Sequence, residues 1–311
     1  MSVPTAPTEK TFSSFTKEQG ANYAQNRHGY HPKLFQTIID HHTSTDGKLD
    51  TLLDVGCGPG TTALALAPHF KHVLGLDPSE GMIETARSST TSPNTRFEVS
   101  TAEDLGSHLT PPVADESVDL ITASAAAHWF NMSLFWPRAA KVLKPGGSVA
   151  IWSTGAIKLH PSMPNCAAIQ EAVDAIEARE LVPFYEPGNL MTRDGYTNLP
   201  LPWTVSPKVE AFDESSFLRK EYGPEQGNDD EFLARGAMEV NLDMMEKVVS
   251  TGSPVQRWRE ANKEKVGTDQ DVVKLYRREL ERLLHEAGVE PGKEVLKASL
   301  KGVLLIVKKK E

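Results

Sequence analysis

The chain has 311 residues, room for one large domain or two modest ones at roughly 100–200 residues each. Hydrophobic residues make up 39% and charged residues 24%, which excludes a disordered or fibrous chain. The 42 acidic and 33 basic residues give a net charge of -9, so no basic field exists to hold a phosphate backbone and nucleic acid is not an expected partner.

The longest aliphatic run, Val303 to Val307, falls far short of the roughly 20 apolar residues a membrane helix needs. Cys57 and Cys166 cannot build a disulfide framework, and the first residues lack the apolar stretch of a signal peptide. A reducing cytoplasm is the expected setting, with no membrane partner.

Residues 1–11, rich in Pro, Thr and Ser, read as a flexible arm. Residues 12–50 read as an N-terminal helical cap segment. Tyr23 and Arg27 stand one helical turn apart within it, so both can point the same way. From Pro32 the apolar Leu34, Phe35, Ile38 and Ile39 recur at helical spacing until Thr43-Ser44-Thr45-Asp46-Gly47 breaks the pattern. No second Cys/His cluster accompanies His41-His42, so a zinc site is not expected and the pair reads as a solvated helix end.

Residues 51–154 change rhythm. Thr51 to Val55 is a strand, Gly56 to Gly60 a turn and Thr61 to Ala67 a helix. Val73 to Leu76 is a second strand ending at Asp77, followed by a helix from Ser79. Further strands are expected at 96–99, 118–122 and 148–152, the last after the Lys144-Pro145-Gly146-Gly147 turn. Strands alternating with helices imply an α/β fold: a Rossmann-like doubly wound, mostly parallel sheet covered on both faces. Residues 155–290 depart from this pattern. Helices are expected over 164–181 and 229–250, with prolines between them and a brief strand at 209–212. This region reads as a helical lid and substrate region with elements returning to the core. Residues 291–311 supply a C-terminal strand of the core sheet, ending in a solvated tail, Lys308 to Lys310.

The chemistry concentrates in Asp54-Val55-Gly56-Cys57-Gly58-Pro59-Gly60, set between a strand and a helix. Glycines let a ligand approach the backbone, and Asp77, about 20 residues on at the end of the next strand, can accept hydrogen bonds from ribose hydroxyls. A nucleoside cofactor is expected. The dinucleotide pattern would need glycine where this chain has Thr61, so a pyrophosphate is poorly supported. Asp54 either orders the loop or meets a ligand ammonium, since a buried charge needs a partner.

These residues resemble the first motif of the class I S-adenosylmethionine-dependent methyltransferases. Glu103-Asp104-Leu105, Ser117 to Leu120 and Leu143 to Gly147 stand where that family has its later motifs. Ala127-His128-Trp129-Phe130, with Tyr23, Arg27, Tyr30 and Pro32, is similar more narrowly to the fungal trans-aconitate methyltransferases and relatives in secondary metabolism. The resemblance implies S-adenosyl-L-methionine as cofactor, held by Asp54, Gly56, Gly58, Gly60, Asp77, Ala102, Glu103, Tyr23 and Arg27. Glu103 or a backbone carbonyl would take the adenine amino group, because Thr101 replaces the usual acid.

The implied reaction is methylation of a small molecule, at a carboxylic acid or a hydroxyl, by in-line displacement. His128 is the catalytic candidate: a hydroxyl would profit from it as a base, with the rate falling below the imidazole pKa, whereas a carboxylate needs none. Trp129, Tyr30, Tyr185 and Trp258 are the candidates to bind the acceptor, with Phe12, Phe15, Tyr23 and Tyr30 as one aromatic face of a lid and Phe184, Tyr185, Trp203 and Trp258 as its mate. A protein that binds the same cofactor without methylating would keep every motif, and a nicotinamide-dependent oxidoreductase would share the fold.

Overall fold

The computed structural model describes residues 11–13, 15–26, 29–44, 46–228, 231–234 and 238–311. The arm through residue 10 and Arg27 lie outside them. Helices α1 (Lys17–Asn26) and α2 (Pro32–Ser44) precede five strands: β1 (Thr51–Val55), β2 (His72–Asp77), β3 (Thr95–Val99), β4 (Val118–Ser124) and β5 (Leu143–Leu159). Helices α3 (Thr61–Leu66), α4 (Glu80–Ser89) and α5 (Met132–Val142) connect them. Then come α6 (Cys166–Ile176), α7 (Pro187–Arg193), β6 (Phe212–Tyr222), β7 (Met238–Asn241), α8 (Leu242–Ser250), α9 (Ser253–Ala261), α10 (Val272–Glu286) and β8 (Val295–Lys309).

All eight strands form one sheet whose main path runs β3-β2-β1-β4-β5-β8-β6, with β7 also paired to β8. The first five are mutually parallel, and β8 runs antiparallel to β5, β6 and β7. Side chains alternate across the sheet, as a two-residue period requires. Leu53, Val55, Ile121 and Ile151 join Phe135 and Trp136 of α5 on one face, while Leu52, Leu120, Ala150 and Trp152 join Leu34 and Ile38 of α2 and Ile83 of α4 on the other. A third cluster, with Ile169, Trp258, Val272, Leu280 and Leu284, holds α6, α8, α9 and α10 together.

Several expectations are corrected. The helix expected over 229–250 starts at Leu242, because Met238–Asn241 pairs with β8 instead. The brief strand at 209–212 lies instead at Phe212–Tyr222, where β8 offers its second edge. His42 is fully buried, not solvated: its ring nitrogens meet Ser148 Oγ at 2.9 Å and the Lys48 carbonyl at 2.8 Å. Lys308 and Lys309 of the basic tail belong to β8, while Lys310 beyond it is exposed. Lys308 is buried, and the Lys309 ammonium donates to the Leu143 carbonyl at 2.7 Å. Asp119, in the motif that opens β4, accepts from the Thr51 amide at 2.8 Å and the Lys144 ammonium at 2.9 Å, locking the amino ends of β1, β4 and β5 together.

Candidate functional site

In an open α/β sheet ligands bind beyond the carboxyl ends of the strands where the strand order reverses. Here that reversal lies between β1 and β4, and a cavity of about 650 Å³ opens there. The loop after β1 forms its floor. Gly58, at φ +52°, has open space where a Cβ would stand, and its amide donates to Asp77 Oδ2 at 2.9 Å. The Ser79 amide donates to Asp77 Oδ1 at 2.9 Å, so the carboxylate is oriented at the end of β2 by two backbone groups. Gly56 also lines the cavity.

Asp54 and Gly60 do not line it. Gly60 caps α3 at φ +88°, where a Cβ would stand 2.7 Å from the Phe97 ring, so close packing and not a ligand excludes a side chain there. Asp54 is fully buried beneath the loop, and the Thr122 hydroxyl of the neighbouring strand donates to its Oδ1 at 2.7 Å. Burial pushes its pKa up to about 7, with the charge of Asp77 adding and the Thr122 hydrogen bond opposing. Asp54 therefore orders the loop from behind.

Ala102 and Glu103 line the cavity beyond β3. Glu103 Oε1 accepts from the Asn131 amide at 2.7 Å, tying the turn after β3 to the turn after β4. That second turn carries His128, Trp129 and Phe130, all on the cavity wall. His128 is half-buried, with Nδ1 at 2.8 Å from the Tyr196 hydroxyl, and burial pushes its pKa down to about 3. Burial therefore favours the neutral form of the imidazole.

The N-terminal segment closes one side. Phe12, Tyr23, Asn26 and Tyr30 line the cavity, and Phe12 sits 5.9 Å from Tyr23 and 6.3 Å from Trp129, ring centroid to ring centroid. The segment seats on α4 because Gly81 has no Cβ to strike the Phe15 carbonyl. Tyr30 forms an isolated bridge with Leu233 and packs on Trp152.

Two acceptor candidates are misplaced by the sequence reading. Tyr185 hydrogen-bonds Glu177 beside Arg193 and packs on the helical cluster. Trp258 is 2% exposed in that cluster, its indole donating to Glu180 at 3.2 Å. Neither lines the cavity, because the amphipathic faces of α6, α8, α9 and α10 bury the aromatics among themselves. Phe184 joins the same cluster, and Trp203 packs on Phe217 beside the core of the other cluster that holds Phe135 and Trp136. Of the N-terminal aromatics, Phe12 meets Trp129 instead.

Residues the sequence did not single out complete the wall: Asn131, Ser153, Asn189, Thr192 and Ser253. Asn189 donates to Ser253 Oγ at 3.0 Å and accepts from Arg257 at 2.5 Å. Arg257 also donates to Thr11 at 3.0 Å, so one guanidinium joins α7, α9 and the N-terminal segment. No short motif marks these positions.

Residues 53–151 match the family described as Methyltransferase domain. The match runs from the strand before the glycine loop to β5, within the Rossmann-like sheet. A Dictyostelium discoideum protein described as a methyltransferase is 36% identical over 153 residues, 49% of this chain and 54% of that protein. The Saccharomyces cerevisiae protein CRG1, named as an S-adenosylmethionine-dependent methyltransferase, is 31% identical over 138 residues, 43% of this chain and 45% of its own. The matched segment spans about half the length of these relatives. The solved structure of a protein described as a type II methyltransferase, from Anaeromyxobacter dehalogenans, shares the fold over 90% of this chain and 97% of its own, with a TM-score of 0.60 and 23% identity. S-adenosylmethionine is the cofactor these matches imply. The residues present fit it: Gly58 leaves space against the backbone, and the Asp77 carboxylate is held beside it.

Proposed function

We propose that this chain is an S-adenosylmethionine-dependent methyltransferase that methylates a small molecule at oxygen, on a carboxylic acid or a hydroxyl. The observation that carries the reading is one cavity with two different ends. One is the glycine loop with Asp77, and the other is the aromatic and amide wall of Tyr30, His128, Trp129 and Asn189. Its volume falls within the roughly 300–1,000 Å³ of small-molecule sites. No helix among the described residues is long and apolar enough to cross a membrane.

When bound, the cofactor supplies an electrophilic methyl group on sulfur, so the protein needs no covalent nucleophile. Asp77 takes the ribose hydroxyls, and Gly58 lets the cofactor lie on the backbone. Tyr23 stands toward the cofactor carboxylate, and Ala102 and Glu103 toward the base. Phe12, Tyr23 and Trp129 exclude water, and the acceptor is oriented by His128, Tyr30 and Trp129 for in-line attack. The narrower likeness to small-acid methyltransferases favours a carboxylic acid.

Calorimetry with S-adenosylmethionine and NADH, followed by transfer of labelled methyl to a panel of small acids and phenols, tests the reading. Binding of the first ligand alone and labelling of at least one acceptor are expected. Cofactor binding without labelling of any acceptor would instead fit a protein that holds the cofactor without transferring its methyl.

A further inference from the structure

Helix α7 and the α8–α9 turn meet on the acceptor side of the cavity wall, and their hydrogen bonds fix which way each polar group points. Asn189 Oδ1 receives two groups that can only donate: the Glu186 backbone N–H at 3.0 Å and the Arg257 guanidinium at 2.5 Å. The carboxamide cannot be turned round, because its amide nitrogen would then face both donors. Nδ2 therefore points the other way, to Ser253 Oγ at 3.0 Å. Toward Nδ2 that hydroxyl can only accept, so its single proton is left to give elsewhere. Ser253 is 3% exposed and opens α9, which the buried Val255 and Trp258 hold in place. Among the described residues no acceptor stands within hydrogen-bond distance of the Ser253 hydroxyl, and the residue lines the cavity. Buried hydroxyls find partners, and the side on which this one can find its acceptor is the cavity.

The group that answers this proton is an oxygen with a lone pair to offer. A ligand hydroxyl would bring a further proton in need of an acceptor, whereas a carbonyl brings none. No Lys or Arg among the described residues lines the cavity, and Arg257 behind the wall is matched by Glu186 at 3.3 Å, so an ionised group buried here would lack a counter-charge. The neighbouring Thr192 hydroxyl is spent on the Asn189 backbone carbonyl at 2.9 Å and offers no competing donor. We propose that Ser253 is a specificity-determining residue whose hydroxyl, aimed by Asn189, donates to an uncharged carbonyl oxygen of the acceptor, separate from the oxygen that is methylated. The acceptor is then bifunctional, with an acid or hydroxyl at the reacting end and a ketone, ester or amide carbonyl at the other. The reacting end rests on the methyl-transfer reading; the recognition of a carbonyl at Ser253 does not.

The test is calorimetry of the full chain saturated with S-adenosylhomocysteine and titrated with matched pairs: phenylacetate against para-acetylphenylacetate, phenol against para-acetylphenol, and pentanoate against levulinate. The carbonyl member of at least one pair should bind about three- to tenfold more tightly, the size of one neutral hydrogen bond. Ser253→Ala should erase that preference while the carbonyl-free member and S-adenosylhomocysteine keep their affinities within about twofold. Ser253→Thr, which retains a hydroxyl, should retain the preference. Asn189→Asp leaves an oxygen for Glu186 and Arg257 but turns the group facing Ser253 into an acceptor, which captures the hydroxyl proton, so the preference should vanish with Ser253 in place. The proposal is overturned if no wild-type pair favours its carbonyl member, if the preference survives Ser253→Ala or Asn189→Asp, or if para-carboxyphenylacetate binds more tightly than para-acetylphenylacetate. The expected preference without transfer of labelled methyl from S-adenosylmethionine to any pair member would defeat the methyl-transfer reading alone.

Discussion

The two ends of the cavity are built differently. At the cofactor end, Gly56, Gly58 and Asp77 come from two adjacent strands and the loop between strand and helix, and the polar groups that meet there are backbone amides and the carboxylates of Asp77 and Glu103. At the acceptor end the wall is drawn from residues spread between Phe12 and Pro254: an N-terminal helix, the turn after β4, helix α7 and the α8–α9 turn. Its contacts are between side chains, as in the Arg257, Asn189 and Ser253 chain. The first design repeats a local unit and tolerates little variation; the second depends on distant helices packing correctly, and can change its lining without disturbing the sheet.

The largest effect should come from the scaffold of the acceptor end. Trp258→Ala removes a buried indole from the helical cluster, and large-to-small changes of this kind cost about 3–5 kcal/mol. Chemical denaturation should show a destabilised helical region, while calorimetry at low temperature returns a near-normal cofactor affinity. A cofactor affinity that collapses in proportion to stability would mean that the two ends are not separable.

Asp77→Ala sharpens the comparison from the other side. Losing a hydrogen bond to a charged group costs about 1.5–3 kcal/mol, roughly tenfold or more in affinity for S-adenosylmethionine, with the melting temperature little changed. Wild-type affinity by calorimetry would remove Asp77 from the site.

A pH effect separates the buried support of the loop from its surface. Because the folded-state pKa of Asp54 is raised to about 7, the folded protein holds a proton that the unfolded chain has released between its ordinary carboxyl pKa and 7. The stabilisation from this group is complete below the unfolded pKa and is lost as pH rises through about 7, at no more than about 1.4 kcal/mol per unit. His128, depressed to about 3, acts oppositely: its contribution is complete above the unfolded imidazole pKa and fades as pH falls toward 3. Asp54→Asn keeps an acceptor for Thr122 and isolates the first effect. Its stability relative to wild type should rise by about 2–3 kcal/mol between pH 5 and 8, read from denaturant midpoints. A constant difference would show that Asp54 stays charged.

The smallest effect is expected at Tyr185, whose hydroxyl serves Glu177 and Arg193 within the helical cluster. Tyr185→Phe should leave the acceptor KM within about twofold; a tenfold rise would return this residue to the substrate wall.

The difference between the two ends also explains what could be read without coordinates. The alternation of strand, glycine turn and helix from Thr51 to Trp152 is a local signal, since hydrophobic period and turn chemistry are properties of neighbouring residues, and the parallel order of β1 to β5 follows from it. The position of Asp77 beside the Gly58 amide comes with that order. Other features have no local signature. His42 and Lys308 look like solvent-facing polar residues, yet they are buried because β8 inserts antiparallel beside β5. Asp54 and Gly60 fit a ligand motif equally well whether they touch the ligand or support the loop. Aromatics such as Trp258 and Trp129 are chemically alike, and only the packing of helices decides which is core and which is wall. The pairing of His128 with Tyr196 joins side chains from separate loops whose meeting depends on how α7 and its following turn settle on the sheet. Sequence determined the parallel core and the cofactor loop, whose partners are near in the chain or strand order; tertiary structure decided the acceptor wall, because long-range burial alone brings its side chains together.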